Sequence, residues 1–434
     1  MQRFLCGARA GSPWVIVVLV AMALPAAEGV LPEEYRSRRI ALREHIRDGV
    51  LILLGATDGG LRSPFFQDSN FYYLTGWSEP GAVLVMTPSD EVLFLPRRDP
   101  EKEKWTGRRT DPGAKDISAV TGFEKVRPAE TIESELAVLI VEAPRIYTLL
   151  NSPGAEKLKR LLPLREFSEA APAIARLRMK KSEAEQALLR RSAEITVEAH
   201  RAAWNRLKPG LYEYQIAAVM AESQLGSGCV RPAYAPIIGS GANSTFLHYS
   251  DLSRRMDAGE VVLMDAGAEC DYYAADVTRT LPVGGKFTAR QREIYDIVLD
   301  VQRAVIAAVK PGMTLARQGP NSLHGLACDH FNRRHDAAGD GLCKYFHHGI
   351  GHHIGLDVHD PFDASAPLAA GMVITIEPGL YFPDEGVGVR IEDMVLVTEE
   401  GAEVLSDGLP KEPDALESIL AGTRARGSPP DAVP

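Results

Sequence analysis

The strongest constraint on the fold is a set of carboxylates inside strongly apolar, strand-forming segments. Val261–Leu281 (VVLMDAGAECDYYAADVTRTL) has the pattern of two strands joined by a turn. A hairpin centred between Cys270 and Asp271 places Asp265 opposite Asp276, and facing residues lie about 4.5–5.5 Å apart. Two carboxylates this close repel each other unless one is protonated or a cation lies between them. The alternative, two solvent-facing aspartates, is disfavoured by the apolar neighbours.

The same construction recurs near the end of the chain. Met372–Pro378 (MVITIEP) and Val387–Val397 (VGVRIEDMVLV) are predicted strands. A hairpin between them, centred at residues 384 and 385, places Glu377 opposite Glu392. Two such pairs indicate one polynuclear cation site, because two divalent cations would neutralise four carboxylates.

A histidine-rich segment lies between the two hairpins. His347–His359 (HHGIGHHIGLDVH) holds five of the 11 histidines. A lone histidine is usually structural, but this cluster beside four buried carboxylates favours a functional site. Glycines at 349, 351 and 355 and the lack of an HExxH motif argue against a zinc helix. A ligand set dominated by oxygen favours Mn²⁺ or a similar hard cation, and a two-metal site would activate water for hydrolysis.

These residues resemble a known family. The segments MDAGAECDYYAADVTRT, HHGIGHHIGLDVHD, TIEPGLYF and GVRIEDMVLVT are similar, in order, to the motifs of the pita-bread metallopeptidases, peptidase family M24. This resemblance covers about residues 175–410. Upstream, Phe66–Met86 resembles the N-terminal domain shared by aminopeptidase P and prolidase, and Arg97–Arg109 is more similar to aminopeptidase P. Methionine aminopeptidase lacks that domain and is therefore excluded.

The resemblance implies two divalent metal ions, Mn²⁺ first and Co²⁺ or Zn²⁺ as alternatives, with five ligands. Asp265 would chelate one ion, Asp276 and Glu392 would bridge both ions, and His352 and Glu377 would complete one coordination shell. These five positions are the family's ligand set in its order along the chain.

The resemblance also implies roles around the metals. Glu377 would act as the general base, and His359 would hydrogen-bond the scissile carbonyl. His248 would lie beside the substrate, and His348 would line the same pocket. The remaining substrate-binding candidates are Arg390, which would steady the carboxylates or the substrate, and the weaker candidates Tyr381 and Trp105.

The function implied is an Xaa-Pro aminopeptidase, in which a hydroxide bridging the metals attacks the bond before a proline at the second position. An Xaa-Pro bond is a tertiary amide without an N–H donor, and attack by a metal-held hydroxide does not need that donor. The alternatives are an Xaa-Pro dipeptidase (prolidase), a non-catalytic peptide-binding protein on the same fold, and creatinase-like catalysis without metals. The presence of all five matched ligands disfavours the last two.

The chain divides into four predicted parts of an α/β (α+β) protein. Residues 1–29 form a signal peptide, and residues 30–172 form an N-terminal α/β domain like that of creatinase and aminopeptidase P. A C-terminal pita-bread domain follows at 173–410, and the tail at 411–434 is expected to be disordered. Strands are predicted at 49–54, 82–86 and 92–95, and helices at 131–141 and from Ser182, where Glu185 completes a capping box.

The N-terminal segment bears on the compartment. A basic start, the apolar run Val15–Leu24 and small residues up to Gly29 are typical of a secretory signal peptide. A short membrane anchor or a misassigned start codon is the alternative, and a non-functional leader would leave the protein cytoplasmic. We therefore expect a periplasmic or secreted enzyme with no membrane partner once the leader is removed. Four cysteines would remain, as disulfides or as buried thiols.

The partners follow from charge and from the resemblance. A net charge of −10 gives no indication of nucleic-acid binding. The expected partners are peptides with proline at the second position and further copies of the chain, because the family is often oligomeric.

Overall fold

The structure is a computed structural model that describes residues 29–46, 48–58, 64–141 and 143–426. The predicted signal peptide therefore lies outside the described residues except for Gly29. Within the described part of the chain, no helix is both long enough and apolar enough to cross a membrane.

The N-terminal half alternates helices and strands. Its helices are α1 (Pro32–Arg43), α2 (Ser69–Thr75), α3 (Pro100–Thr106), α4 (Ile117–Thr121), α5 (Ile132–Leu139), α6 (Pro153–Leu161) and α7 (Ala171–Met179). Its strands are β1 (Gly49–Leu54), β2 (Val83–Met86), β3 (Glu91–Leu95), β4 (Val126–Pro128), β5 (Arg145–Thr148) and β6 (Phe167–Glu169). The predicted strands and the predicted helix at 131–141 are confirmed to within a few residues.

One mixed sheet organises this half, with the order β4-β3-β2-β1-β5-β6. The strand β2 runs antiparallel to β1 and β3, whereas β4, β5 and β6 each run parallel to a neighbour. Alternate residues of β1 enter two different apolar clusters: Val50 and Ile52 pack with α5 and α6, and Leu51 and Leu53 pack with α1 and α2. Burial on both faces explains the continuous apolar run of β1.

The C-terminal half contains the longer helices and several small antiparallel sheets. Its helices are α8 (Glu183–Arg206), α9 (Glu213–Gly226), α10 (Ala289–Ala308), α11 (Leu323–Phe331) and α12 (Pro413–Arg426). Its strands are β7 (Arg231–Pro232), β8 (Ile237–Ser240), β9 (Val261–Ala266), β10 (Ala268–Cys270), β11 (Tyr273–Ala274), β12 (Val277–Pro282), β13 (Val373–Ile376), β14 (Gly379–Phe382), β15 (Val387–Arg390), β16 (Asp393–Val397) and β17 (Ala402–Val404).

The helix predicted to begin at Ser182 is α8, and its capping box is present. The backbone N–H of Glu185 donates to the Ser182 hydroxyl at 3.2 Å, and the Ser182 N–H donates to the Glu185 carboxylate at 3.0 Å. These reciprocal bonds satisfy two of the free N–H groups at the start of a helix.

The register of the first hairpin differs from the prediction. Asp265 pairs with Thr278 rather than with Asp276. The turn is centred one residue later than predicted, because Asp271 and Tyr272 occupy its two central positions with φ of 51° and 71°. Asp276 is consequently the diagonal neighbour of Asp265 on the same face of the hairpin, still within reach of a shared site.

The second hairpin has the predicted register. Ile376 pairs with Asp393 in β13 and β16, and Gly379 pairs with Arg390 in β14 and β15. Both pairs belong to the register in which residue 377 faces residue 392. The close approach of these two carboxylates is therefore set by the backbone.

The end of the chain corrects a second prediction, because residues 413–426 form the helix α12 instead of a disordered tail. Leu416 and Leu420, one helical turn apart, are buried with exposures of 0% and 1%. The composition of the tail obscured this apolar spacing. Residues 427–434 lie outside the described part, and the domain boundary at 172 stays a prediction.

The pairing of the four cysteines, left open by the sequence, is Cys229 with Cys270 and Cys328 with Cys343. The first disulfide ties the segment that follows α9 to β10. The second ties α11 to the short 3₁₀ turn Leu342–Tyr345, which precedes the histidine-rich segment.

Candidate active site

The five predicted metal ligands line one cavity of about 650 Å³. The hairpin of β9 and β12 carries Asp265 and Asp276, the turns flanking β14 and β15 carry Glu377 and Glu392, and His352 reaches the cavity from the loop before β13. Ligand atoms of Asp276, His352 and Glu392 lie within 4.8 Å of one another. These side chains are spaced as a shared cation would require.

Hydrogen bonds hold the carboxylates in fixed orientations. Arg390 Nη2 donates to Asp265 Oδ2 at 2.5 Å, and Thr278 Oγ1 donates to Glu392 Oε2 at 2.7 Å. His352 Nε2 lies 3.4 Å from Asp276 Oδ2 and 3.7 Å from Glu377 Oε1. Arg390 therefore steadies a carboxylate, as one of its two predicted roles requires.

A residue that the sequence did not single out lies among the carboxylates. The Tyr234 hydroxyl is hydrogen-bonded to Asp265 Oδ1 and lies 2.5 Å from Asp276 Oδ1. A phenol has one proton to donate, so the two carboxylates share it. Tyr234 follows a short irregular segment after β7, and no residue pattern there distinguishes it from a surface tyrosine.

Burial and mutual repulsion change the acidity of these groups. Burial raises the pKa of Glu377 to about 7 and the pKa of Asp265 to about 6. Burial and the charges of Asp276 and Glu377 raise the pKa of Glu392 well above its ordinary value. The hydrogen bond and charge of His352 outweigh burial and lower the pKa of Asp276. Four ionised carboxylates thus need nearby positive charge to coexist here.

A chain of hydrogen bonds runs from Arg390 through Tyr381 to His348. Arg390 Nη1 donates to the Tyr381 hydroxyl at 3.1 Å, and the hydroxyl lies 2.7 Å from His348 Nε2. Burial and the charge of Arg390 lower the pKa of His348 to about 3, so its Nε2 accepts and its Nδ1–H faces the Gly349 carbonyl at 2.9 Å. Tyr381 therefore orients a neutral histidine at the cavity wall.

The other predicted histidines also line the cavity. His248 and His359 are both exposed to it. The ring of His359 lies 4.2 Å from the ring of His352, and partial burial and the charge of His352 lower its pKa. His359 can thus offer a neutral N–H group to a bound molecule.

Three residues lie away from this arrangement. Trp105 was predicted to bind substrate, but it is 88% exposed on α3 and does not line the cavity. The reason is that α3 buries none of its residues against the rest of the chain. His347 is exposed, and His353 is buried against Phe362 at a ring distance of 5.1 Å. The sequence assigned no role to these two histidines.

The donor set fits divalent cations. Four carboxylates and one imidazole nitrogen point into one cavity, and carboxylate and imidazole donors suit Mn²⁺, Co²⁺ and Zn²⁺. Carboxylates whose pKa values are raised by burial and by mutual repulsion are the groups that a cation would stabilise most. The chemistry that such a site supports is hydrolysis by metal-activated water.

Comparison with known proteins agrees with this geometry. Residues 187–399 match the metallopeptidase family M24, and residues 35–147 match the aminopeptidase P N-terminal domain. The chain is 35% identical to the Xaa-Pro aminopeptidase of Escherichia coli, over 90% of this chain and 98% of that protein. It is 34% identical to Xaa-Pro aminopeptidase 3 of Mus musculus, over 83% of this chain and 77% of that protein.

Solved structures give the same result for the whole architecture. Aminopeptidase P from E. coli with the inhibitor Pro-Leu superposes with a TM-score of 0.84 at 32% identity, covering 92% of this chain and all of that one. Proline aminopeptidase P II from Yersinia pestis gives a TM-score of 0.82 at 32% identity, covering 90% of this chain and all of that one. The chain is therefore a hydrolase of metallopeptidase family M24, with an aminopeptidase P N-terminal domain followed by a pita-bread domain.

Proposed function

We propose that this protein is an Xaa-Pro aminopeptidase, which removes the first residue from peptides with proline at the second position and uses two divalent cations. The observation that carries the proposal is the convergence of five ligand side chains and three histidines on one cavity. The relatives named Xaa-Pro aminopeptidase, matched over nearly their whole length, support the specificity.

In this proposal Asp265 would hold one cation, Asp276 and Glu392 would be shared between the two cations, and His352 and Glu377 would complete the ligand set. The short distances among Asp276, His352 and Glu392 support the shared position. When bound, the cations supply an activated water and polarise the scissile carbonyl. The hydrogen bonds from Arg390 and Thr278 leave the carboxylates already oriented before cations bind.

The protein's own groups handle protons and orientation. Glu377 takes up a proton from the attacking water, the general-base role of a carboxylate that lines the cavity. His359 donates a hydrogen bond to the carbonyl oxygen of the scissile bond, where negative charge develops. His248 and His348 line the pocket for the residues on either side of that bond. The free α-amino group of the substrate would lie against the metal-binding floor, the part of the cavity lined by Asp265, Asp276, Glu377 and Glu392. This placement favours cleavage after the first residue.

The test is hydrolysis of a matched peptide series by the protein loaded with Mn²⁺. Release of the first residue from Xaa-Pro-Yaa tripeptides, and not from Xaa-Ala-Yaa controls, is the expected result. Cleavage of Xaa-Pro dipeptides alone would instead identify a prolidase. Binding of the tripeptides without hydrolysis would identify a non-catalytic peptide-binding protein.

We propose Mn²⁺ as the physiological metal, with Co²⁺ and Zn²⁺ as the competing candidates, because four of the five ligands are carboxylates. Calorimetric titration of chelator-treated protein should give a stoichiometry of two ions per chain. Activity restored by Zn²⁺ and not by Mn²⁺ would contradict the choice of metal and leave the cation site itself intact.

We propose that the protein is exported and that residues 1–29 are removed. The two cysteine pairs support this proposal, because disulfides persist in oxidising compartments and are rare in the cytosol. In cell fractions, the mature chain should begin near residue 30 and its thiols should resist alkylation before reduction. Full-length, alkylatable protein in the cytoplasm would contradict export without affecting the enzymatic proposal.

We also propose a homo-oligomer. Large apolar side chains stand exposed on the N-terminal half, among them Trp105 at 88% and Leu164 at 97%. Light scattering on purified protein should give a multiple of the monomer mass, and a monomer at all concentrations would contradict this.

A further inference from the structure

A second group of buried charges lies where the N-terminal half meets the loop that carries His359. Arg178, at the end of α7, and Lys181, just before α8, are each 2% exposed. Both contact Asp360, which is also 2% exposed. We call these three residues, with Asp357, Asn70 and Ser69, the interdomain network.

The network is closely bonded and electrically balanced. Arg178 Nη2 donates to Asp360 Oδ1 at 2.6 Å and to Asp357 Oδ2 at 2.6 Å. Lys181 Nζ donates to Asp360 Oδ2 at 3.2 Å. Two cations therefore face two carboxylates, of which Asp360 is buried and Asp357 is half-exposed, an arrangement in which buried charges are tolerated.

The N-terminal half supplies the remaining bonds from the first turn of α2. Ser69 Oγ donates to Asp357 Oδ1 at 2.6 Å, and Arg178 Nη1 donates to Asn70 Oδ1 at 2.8 Å. The loop of the C-terminal half is thus fastened directly to a helix of the N-terminal half.

Within the loop, Asp360 organises the backbone around the active site. Its N–H donates to the His353 carbonyl at 2.9 Å, the same oxygen that faces His352 Nδ1 at 3.0 Å. Its carboxylate accepts the N–H of Asp357 at 3.2 Å and occupies the space beside Gly355, where a Cβ would lie 2.8 Å from Oδ2. The carboxylate therefore fills the inside of the loop.

His359 immediately precedes Asp360 and projects to the cavity. The ring of His359 packs against the ring of His352 at 4.2 Å, and none of the hydrogen bonds observed among the described residues ends on the His359 ring. Its position consequently depends on the backbone that Asp360 and Arg178 hold.

We propose that Arg178 and Asp360 are positioning residues that hold His359 over the metal-binding floor, and that they make catalysis depend on docking of the N-terminal half. The inference rests on the proposed function, because it assumes that His359 contacts substrate. A misplacement of about 1 Å at such a group costs about 10²-fold in rate, so loosening the network should lower kcat strongly.

The main test is a double-mutant cycle with Asp360→Asn and His359→Ala in the Mn²⁺-loaded protein. The Asp360→Asn change removes one charge and keeps the shape of the side chain. If Asp360 acts through His359, Asp360→Asn lowers kcat about 10–100-fold in the wild-type background, and it costs little more when added to His359→Ala. If the kcat losses of the two single variants multiply in the double variant, the proposal is overturned. A kcat of Asp360→Asn within twofold of wild type would overturn it as well.

A matched control separates positioning from general destabilisation. Glu185→Gln weakens another buried contact between the two halves, the pair with Arg38 at 3.2 Å, which lies outside the network. We expect Glu185→Gln to lose stability and retain kcat within twofold. Asn70→Ala serves as a milder network variant should Asp360→Asn fail to fold, and it should lower kcat about 3–10-fold. An unchanged kcat in Asn70→Ala would exclude a contribution of the N-terminal half to catalysis.

A readout without catalysis keeps this test separate from the proposed function. In the NMR spectrum of protein labelled with ¹⁵N-histidine, the signal that disappears in His359→Ala is assigned to His359. It should shift or broaden in Asp360→Asn and Asn70→Ala and stay in place in Glu185→Gln. Wild type that cleaves no Xaa-Pro-Yaa peptide would refute the function, whereas an undisturbed His359 signal in both network variants would refute the positioning.

Discussion

The substitution Gly351→Ala tests whether the approach of the histidine-rich loop to β13 sets the cation site. A Cβ on Gly351 would lie 1.9 Å from the carbonyl oxygen of Thr375, and ordinary contact begins at 3.4 Å. The loop or the strand must therefore move by about 1.5 Å. The adjacent ligand His352 is joined to Thr375 by an N–H···O=C bond of 2.8 Å, and Glu377 N–H donates to the Ile350 carbonyl at 2.9 Å.

The magnitude follows from these contacts. Forcing an extra carbon into a packed site costs about 1–3 kcal/mol, and each weakened backbone bond costs about 0.5–1.5 kcal/mol. With both backbone bonds weakened, we expect Gly351→Ala to lower the free energy of unfolding by about 2–6 kcal/mol. Because His352 and Glu377 move with the backbone, kcat/KM should fall by about 10²-fold or more.

The assays are urea denaturation, Mn²⁺ calorimetry and hydrolysis of an Xaa-Pro-Yaa peptide. Gly349→Ala is the matched control, because a Cβ there would lie 3.8 Å from its nearest neighbour. The control should keep its stability and its Mn²⁺ affinity. If Gly351→Ala binds two Mn²⁺ ions with wild-type affinity and unfolds at the wild-type midpoint, the argument that backbone contact sets the site is refuted.

Three further predictions concern a ligand, a buried histidine and a disulfide. Asp276→Ala should reduce Mn²⁺-dependent hydrolysis by more than the roughly 10–100-fold that loss of an outer-shell partner costs, and turnover near the wild-type rate would exclude its bridging role. His200 is fully buried with its Nε2 3.0 Å from the Val277 carbonyl, and burial lowers its pKa from 6.5 to about 3. Because the unfolded chain binds that proton more readily, stability is complete above pH 6.5 and falls by about 2 kcal/mol at pH 5. His200→Gln should flatten this part of the denaturation profile, and parallel profiles would contradict the assignment. Cys328→Ser should cost about 3 kcal/mol in non-reducing denaturation, because its bond to Cys343 closes a sequence separation of 15 residues. Equal stability with and without reductant would contradict that value.

Local sequence patterns predicted much of the fold because they reflect local physics. The apolar run at 49–54 and the capping box at Ser182 each determine their element within a few residues. Alternation in apolar strands likewise placed the second carboxylate pair correctly. The first hairpin shifted because the turn position depends on which two residues tolerate positive φ, and Tyr272 is not a residue that pattern rules favour there.

The contacts that sequence reasoning missed are all distant along the chain. Tyr234 reaches Asp276 across 42 residues, and Arg178 reaches Asp357 across 179 residues. A charged helix end such as that of α7 is usually solvated, so no local signal marks Arg178 as buried. Trp105 illustrates the converse, because a matching motif identifies a residue type without showing which surface it meets.

The buried charge clusters differ in balance, and this difference leads to a last prediction. In the interdomain network two cations face two carboxylates, whereas the floor of the cavity places four carboxylates against Arg390 and His352. Burial raises the pKa of Asp265 to about 6 and the pKa of Glu377 to about 7. The folded metal-free protein therefore holds protons that the unfolded chain releases, so this floor makes stability fall as pH rises from about 4 to 7. Bound Mn²⁺ should remove that slope and, at 100 times its dissociation constant, add about 3 kcal/mol of stability per ion. The measurement is the unfolding midpoint across pH with Mn²⁺ and with chelator, and curves of identical slope would show that these carboxylates are not the cation ligands.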